Sequence, residues 1–113
     1  MNTKRGFDNE VSGLTSQEHV HIVDELKEIA GSGSAAYRLL LFEGLKIASR
    51  DGIGDFRDRG ELEAPARART HVSDEMNGEI LEWVVRTGQA KYSVISQLVR
   101  LAVQERLKLV TTN

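Results

Sequence analysis

The chain has 113 residues, 40% of them hydrophobic, 28% charged and one a proline, a composition that excludes a wholly disordered polymer and suits one compact domain. It has no cysteine, no apolar leader in MNTKRGFDNE and no apolar run near ~18 residues, which excludes a disulfide framework, thiolate metal sites and a membrane span and predicts a cytoplasmic protein. The net charge of -2 argues against a nucleic-acid partner until its distribution is considered: residues 1–65 balance to -4 and residues 66–113 to +2.

In chain order, Lys4 and Arg5 come first, in a polar stretch that reads as an arm. Thr15-Ser16-Gln17-Glu18 has the spacing of a capping box, with a carboxylate three residues after the cap. Ile22, Val23, Leu26, Ile29 and Ala30 then recur as one apolar stripe and predict a helix. Gly31-Ser32-Gly33-Ser34 interrupts it, and a second helix is expected from Ala36 to Ser49, carrying Leu40, Leu41, Leu45, Ile47 and Ala48. Residues 50–65 mix both charge signs with three glycines and lack periodicity, as a linker does.

From residue 66 the period changes to two. Ala66, Ala68, Thr70 and Val72 share one side of a strand, and Arg67, Arg69 and His71 share the other. Ser73 before Asp74 and Glu75 is an N-cap with carboxylates in the first turn, where they meet the positive end of the helix dipole. Met76, Ile80, Leu81, Val84 and Val85 continue that helix, and Gly88 ends it. A last helix, about Lys91 to Lys108, has an apolar stripe wide enough for two neighbours. The expected core comprises Ile22, Leu26, Leu41, Leu45, Ile80, Leu81, Val84, Ile95, Leu98, Val99 and Ala102. A lone strand leaves its backbone groups unsatisfied, so residues 66–72 need a partner strand.

The two halves match. LLFEGLKIAS, from Leu40, lies over VISQLVRLAV, from Val94, with Glu43 on Gln97, Lys46 on Arg100 and Ala48 on Ala102. Upstream, Thr15, Ile22, Val23 and Leu26 fall on Ser73, Ile80, Leu81 and Val84, with four extra residues absorbed by the GSGS stretch. This reads as an internal duplication.

The motif RARTHVSDEM followed by RTGQAKYSVISQLVRLAV resembles the ribbon-helix-helix DNA-binding proteins, to which Arc and the methionine repressor belong. The resemblance covers residues 66–108 well and residues 9–49 more loosely. It implies a mostly α fold with a two-stranded antiparallel β-ribbon, pseudo-dimeric from two strand-helix-helix repeats within one domain (residues 1–113). In that family the ribbon enters the major groove of double-stranded DNA, and outward residues at the second, fourth and sixth positions before the helix cap touch bases. Counted back from Ser73 these are His71, Arg69 and Arg67, and Arg suits the guanine O6/N7 edge. Lys91, Ser93 and the start of the last helix correspond to the phosphate clamp, with Lys4 and Arg5 as further phosphate contacts. Counted back from Thr15, the first strand directs Gly13, Val11 and Asn9 outward and Leu14, Ser12 and Glu10 inward, with a bulge near Gly13 as one way to accommodate the glutamate. The implied function is transcriptional regulation, or an accessory role in DNA transfer by plasmids or mobile elements. A monomer acting as a pseudo-dimer is implied, and self-association on DNA is left open.

No cofactor or metal is expected. His19 and His21 point to different sides of a helix, and no nucleophile–base arrangement, carboxylate pair or phosphate loop is identifiable, so the chain is not expected to be an enzyme. Trp83, beside the apolar stripe of its helix, reads as packing against the linker or a partner. The alternative function is a protein-interaction module, an anti-activator or antitoxin-like adaptor, whose acidic N-terminal half binds another regulatory protein.

Overall fold

The computed structural model describes residues 8–15, 20–53 and 66–111. Among them are β1 (Asn9–Thr15), α1 (Val20–Ala30), α2 (Gly33–Asp51), β2 (Ala66–Val72), α3 (Asp74–Thr87) and α4 (Lys91–Thr111). A strand followed by two helices thus occurs twice. The two strands pair antiparallel over seven residues each, from Asn9 opposite Val72 to Thr15 opposite Ala66, with no interruption.

The expected intramolecular ribbon is present, and β2 has the expected faces: Ala68, Thr70 and Val72 are buried while Arg67, Arg69 and His71 are exposed. The face assignment for β1 is reversed. Val11, Gly13 and Thr15 are buried, Glu10 and Ser12 are exposed, and Leu14 is half-buried. Glu10 is therefore no core residue. Thr15 lies opposite Ala66 with 4% exposure, so it belongs to the strand, at the position that the count from it directs to neither face. A shift of one residue exchanges the two faces of a strand. Gly13 does not mark a bulge either. A Cβ there would lie 2.9 Å from Ile95 Cγ2 and from the Ser96 backbone nitrogen, so glycine lets β1 lie flat on α4. Residues 16–19, the remainder of the capping box, lie outside the described residues.

The ribbon rests crosswise on the helices. β1 packs chiefly on α4, from the other half of the chain, and β2 packs on α2. The Leu14 N–H donates to Ser96 Oγ (2.7 Å), whose own hydroxyl donates to the Tyr92 carbonyl (2.8 Å). Thr70 Oγ1, 1% exposed, donates to the Ser34 carbonyl and meets Ser34 Oγ at 2.9 Å. These contacts satisfy polar groups that the sheet leaves over, and no buried side-chain nitrogen or oxygen among the described residues lacks a partner.

Beneath the ribbon α2 and α4 cross closely. Val94, Ile95, Leu98, Val99, Ala102 and Val103 of α4 are all buried, as a helix covered by several elements requires. α2 begins at Gly33, earlier than periodicity predicts, because Ser32 caps it by accepting from the Ala35 N–H (3.1 Å). It also runs on through Arg50 and Asp51 to a glycine cap at Gly52, shortening the expected linker, whose residues 54–65 lie outside the described set. Of the expected core only Leu81 is displaced to the surface, at 42% exposure, and Val84 is half-buried. α3 meets the molecule along Met76, Ile80, Trp83 and Val84, and Leu81 with Val85 lies on its outer side.

Candidate nucleic-acid interface

The solvent face of the ribbon carries six side chains in three opposed pairs: Leu14 with Arg67, Ser12 with Arg69, and Glu10 with His71. The alternation that buries Ala68, Thr70 and Val72 directs the three large polar residues of β2 outward in one row. Arg69 does not stand alone. Its Nε lies 3.0 Å from Glu10 Oε1, on a diagonal across the ribbon, and both side chains remain more than half exposed. An exposed pair of this kind contributes little to stability and opens readily.

Two side chains hold the far end of β2 in place. Arg38, from α2, donates its Nε–H to the His71 carbonyl (2.7 Å). Asn9 donates to Asp74 Oδ1 (2.8 Å) and to the Val72 carbonyl (3.3 Å), joining the start of β1 to the first turn of α3. The predicted cap is formed there: Ser73 Oγ accepts from the Met76 N–H (3.1 Å), and Gly88, with φ 69°, closes the helix.

The residues expected to contact phosphate are distributed unevenly. Lys91 begins α4 and donates to Asn77 Oδ1 (2.7 Å), which ties the helix start to α3. Ser93 is 9% exposed, and its N–H and that of Val94 both donate to the Ala90 carbonyl. Little of Ser93 is therefore open to the surface. Lys4 and Arg5 lie outside the described residues.

The structure adds a helix start where the sequence suggests only an interruption. Ser32, Gly33 and Ser34 open α2 directly beside β2, through the Ser34–Thr70 contact, while the first turns of α4 lie beside β1 through Ser96. The N-terminus of α2 thus lies at the edge of β2, and backbone N–H groups and the helix dipole at such an end favour anions. The available signal was the serine shortly before the apolar pattern, a normal N-cap spacing. Arg38 and Glu10 were missed for a different reason: each becomes relevant only through a long-range contact.

No family model matches the chain, and searches of curated proteins and of solved structures returned no match.

A second surface feature is an apolar groove of about 610 Å³ between α1, α2 and α3. Ile29, Leu39, Phe42 and Met76 line it, with Glu75 and Glu79 at its edge. Ile29 is 82% exposed and Phe42 46% exposed there. Lys46 Nζ lies 4.5 Å from the Phe42 ring centroid at the neighbouring end of α2, and Arg86 lies 5.1 Å from that of Trp83. Trp83 is half-buried against the hydrophobic core, and residues 54–65 of the expected linker lie outside the described residues. No helix among the described residues is long and apolar enough to cross a membrane, and they hold no cluster of three metal-ligating side chains.

Proposed function

We propose that this chain is a sequence-specific double-stranded DNA-binding protein of ribbon-helix-helix type, a transcriptional regulator or DNA-transfer accessory protein that forms both halves of the reading unit from one polypeptide. The observation that carries the proposal is the intramolecular antiparallel ribbon with Arg67, Arg69 and His71 on its solvent face. A two-stranded ribbon fits the major groove, and arginine donors match the acceptor edge of guanine.

The pseudo-dimeric reading has support of its own. Ser12 and Arg69 oppose each other in the ribbon, Gly31 and Gly88 each adopt positive φ, and each glycine N–H donates to a carbonyl four residues back, on Lys27 and Val84. All three pairs have the same spacing along the chain. The second helices approach closely at Gly44 and Leu98, the fifth residues of the two matched segments, at a spacing three residues shorter. This pairing supports an insertion between Gly31 and Gly44 in the first half, near the GSGS stretch. Crosswise packing of β1 on α4 and β2 on α2 makes the two repeats one folding unit.

The test is binding-site selection from random duplexes, followed by titration of wild type and Arg67→Ala/Arg69→Ala across salt concentrations, with circular dichroism to verify folding. The expected result is loss of selectivity in a folded double mutant. Arg69→Ala alone should remove about 1–3 kcal/mol of discrimination at one base pair. Lys91→Ala should weaken all sequences alike and flatten the salt slope by about one unit. Equal affinity and selectivity in the folded double mutant would overturn the proposal.

A further inference from the structure

The ribbon face holds one residue that a DNA-reading surface does not need for affinity: the carboxylate of Glu10. It lies beyond the cationic row, opposite His71 and 3.0 Å from Arg69 Nε, with 53% of its side chain exposed. Any duplex that meets Arg67 and Arg69 also meets Glu10. Phosphates repel a carboxylate, and so do the acceptors guanine O6 and N7 and thymine O4. In the major groove only the exocyclic amino groups of cytosine and adenine donate to it.

We infer that Glu10 is a specificity-determining residue, which holds Arg69 away from non-cognate DNA and releases it where a cytosine amino group can take its place. The inference rests on the DNA-reading proposal above. On a cognate site Arg69 donates to a guanine edge, and Glu10 accepts from the N4 amino group of a cytosine beside it. Two neighbouring G·C pairs present both partners side by side, the acceptors on the guanine of one and the donor on the cytosine of the next. On other sequences the amino group lies out of reach of Glu10 or, as in adenine, sits beside the N7 acceptor that repels a carboxylate, and Arg69 is its better donor. The pair then competes with the DNA for Arg69 and weakens its contacts with bases and phosphates. The exchange is feasible because an exposed ion pair is weak. Pseudo-equivalent positions sharpen the point: on β1 Glu10, Ser12 and Leu14 stand where β2 has Arg67, Arg69 and His71. The two ends of the site are therefore read by different chemistry.

The experiment compares full-length wild type, Glu10→Gln, Glu10→Ala and Arg69→Ala. Each is checked by circular dichroism and used both to select duplexes from a random library and to bind a fixed unselected duplex at several salt concentrations. Wild type should retain cytosine at one position next to the guanine read by Arg69. Glu10→Gln should move that preference towards adenine, whose N6 and N7 suit a glutamine, by about fivefold or more. Both Glu10 variants should bind the unselected duplex more tightly, with a salt slope steeper by about one unit as the freed Arg69 takes a phosphate. If Arg69→Ala loses selectivity while both Glu10 variants match wild type, the inference fails and the DNA-reading proposal stands. If Arg69→Ala selects as well as wild type, the inference fails with Arg69 as a reader, and if wild type selects no duplex, both fall.

Discussion

A methyl group added to Gly44 would place its carbon 2.7 Å from the Leu98 carbonyl carbon and closer still to the oxygen, nearer than any packing allows. Alanine is the better helix former by about 1 kcal/mol, but at this crossing the obstruction is backbone and α2 cannot move without losing its contact with α4. Gly44→Ala should therefore destabilise by about 1–3 kcal/mol, the usual cost of overpacking. Gly78 is the control. It sits within α3, where a methyl carbon would meet nothing inside 4 Å, so Gly78→Ala should stabilise by about 0.5–1 kcal/mol. Leu98 itself is 0% exposed, and Leu98→Ala should cost about 2–5 kcal/mol. Urea unfolding of the three variants measures all of this. A neutral Gly44→Ala would mean that α2 and α4 do not cross this closely.

The two strands show why one element is legible in the sequence and another of the same type is not. In β2 the large polar side chains alternate with small or apolar ones, and Ser73 follows at once as an unambiguous cap, so faces and end are both visible in the sequence. In β1, NEVSGLT, the buried side has Val11, Gly13 and Thr15 and the open side Glu10, Ser12 and Leu14. Neither set looks like a core on its own, because glycine is required there by the approach of α4 and not by burial of apolar area. Thr15 resembles a cap, and counting from it reverses the strand. The cationic half of the site was thus legible in the sequence, whereas Glu10 was hidden on a face assigned to the core and Arg38 in the middle of a helix. The corrected phase has its own test. Val11 is 3% exposed, so Val11→Asp buries a charge and should cost several kcal/mol, whereas Ser12→Asp, on the open face, should leave thermal stability nearly unchanged. The opposite ranking would restore the phase counted from Thr15.

At the scale of the molecule, the crosswise packing determines how the protein unfolds. The ribbon needs both strands, β1 depends on α4, and β2 depends on α2, so neither strand-helix-helix half can bury its apolar face alone. In a protein that assembles such a ribbon from two subunits, folding and association are one step, and the melting temperature rises with protein concentration. Here every partner lies on the same chain, and Glu43 of α2 even holds Arg106 of α4 through a two-pronged ion pair with one N···O distance of 3.0 Å. Unfolding should therefore be a single cooperative transition whose midpoint does not move across a hundredfold dilution, and sedimentation should give the mass of one chain, 12.6 kDa. The competing arrangement pairs two copies of β2 with each other across a dimer, leaving each β1 displaced. It predicts a doubled mass and a midpoint that falls on dilution. Disulfide trapping separates the two in one gel, because the protein has no native cysteine to interfere. A Ser12→Cys/Arg69→Cys variant, at the directly opposed positions of the ribbon, should close within one chain and run as a monomer, whereas Arg69→Cys alone should not form the dimer that a β2–β2 ribbon centred on this residue requires.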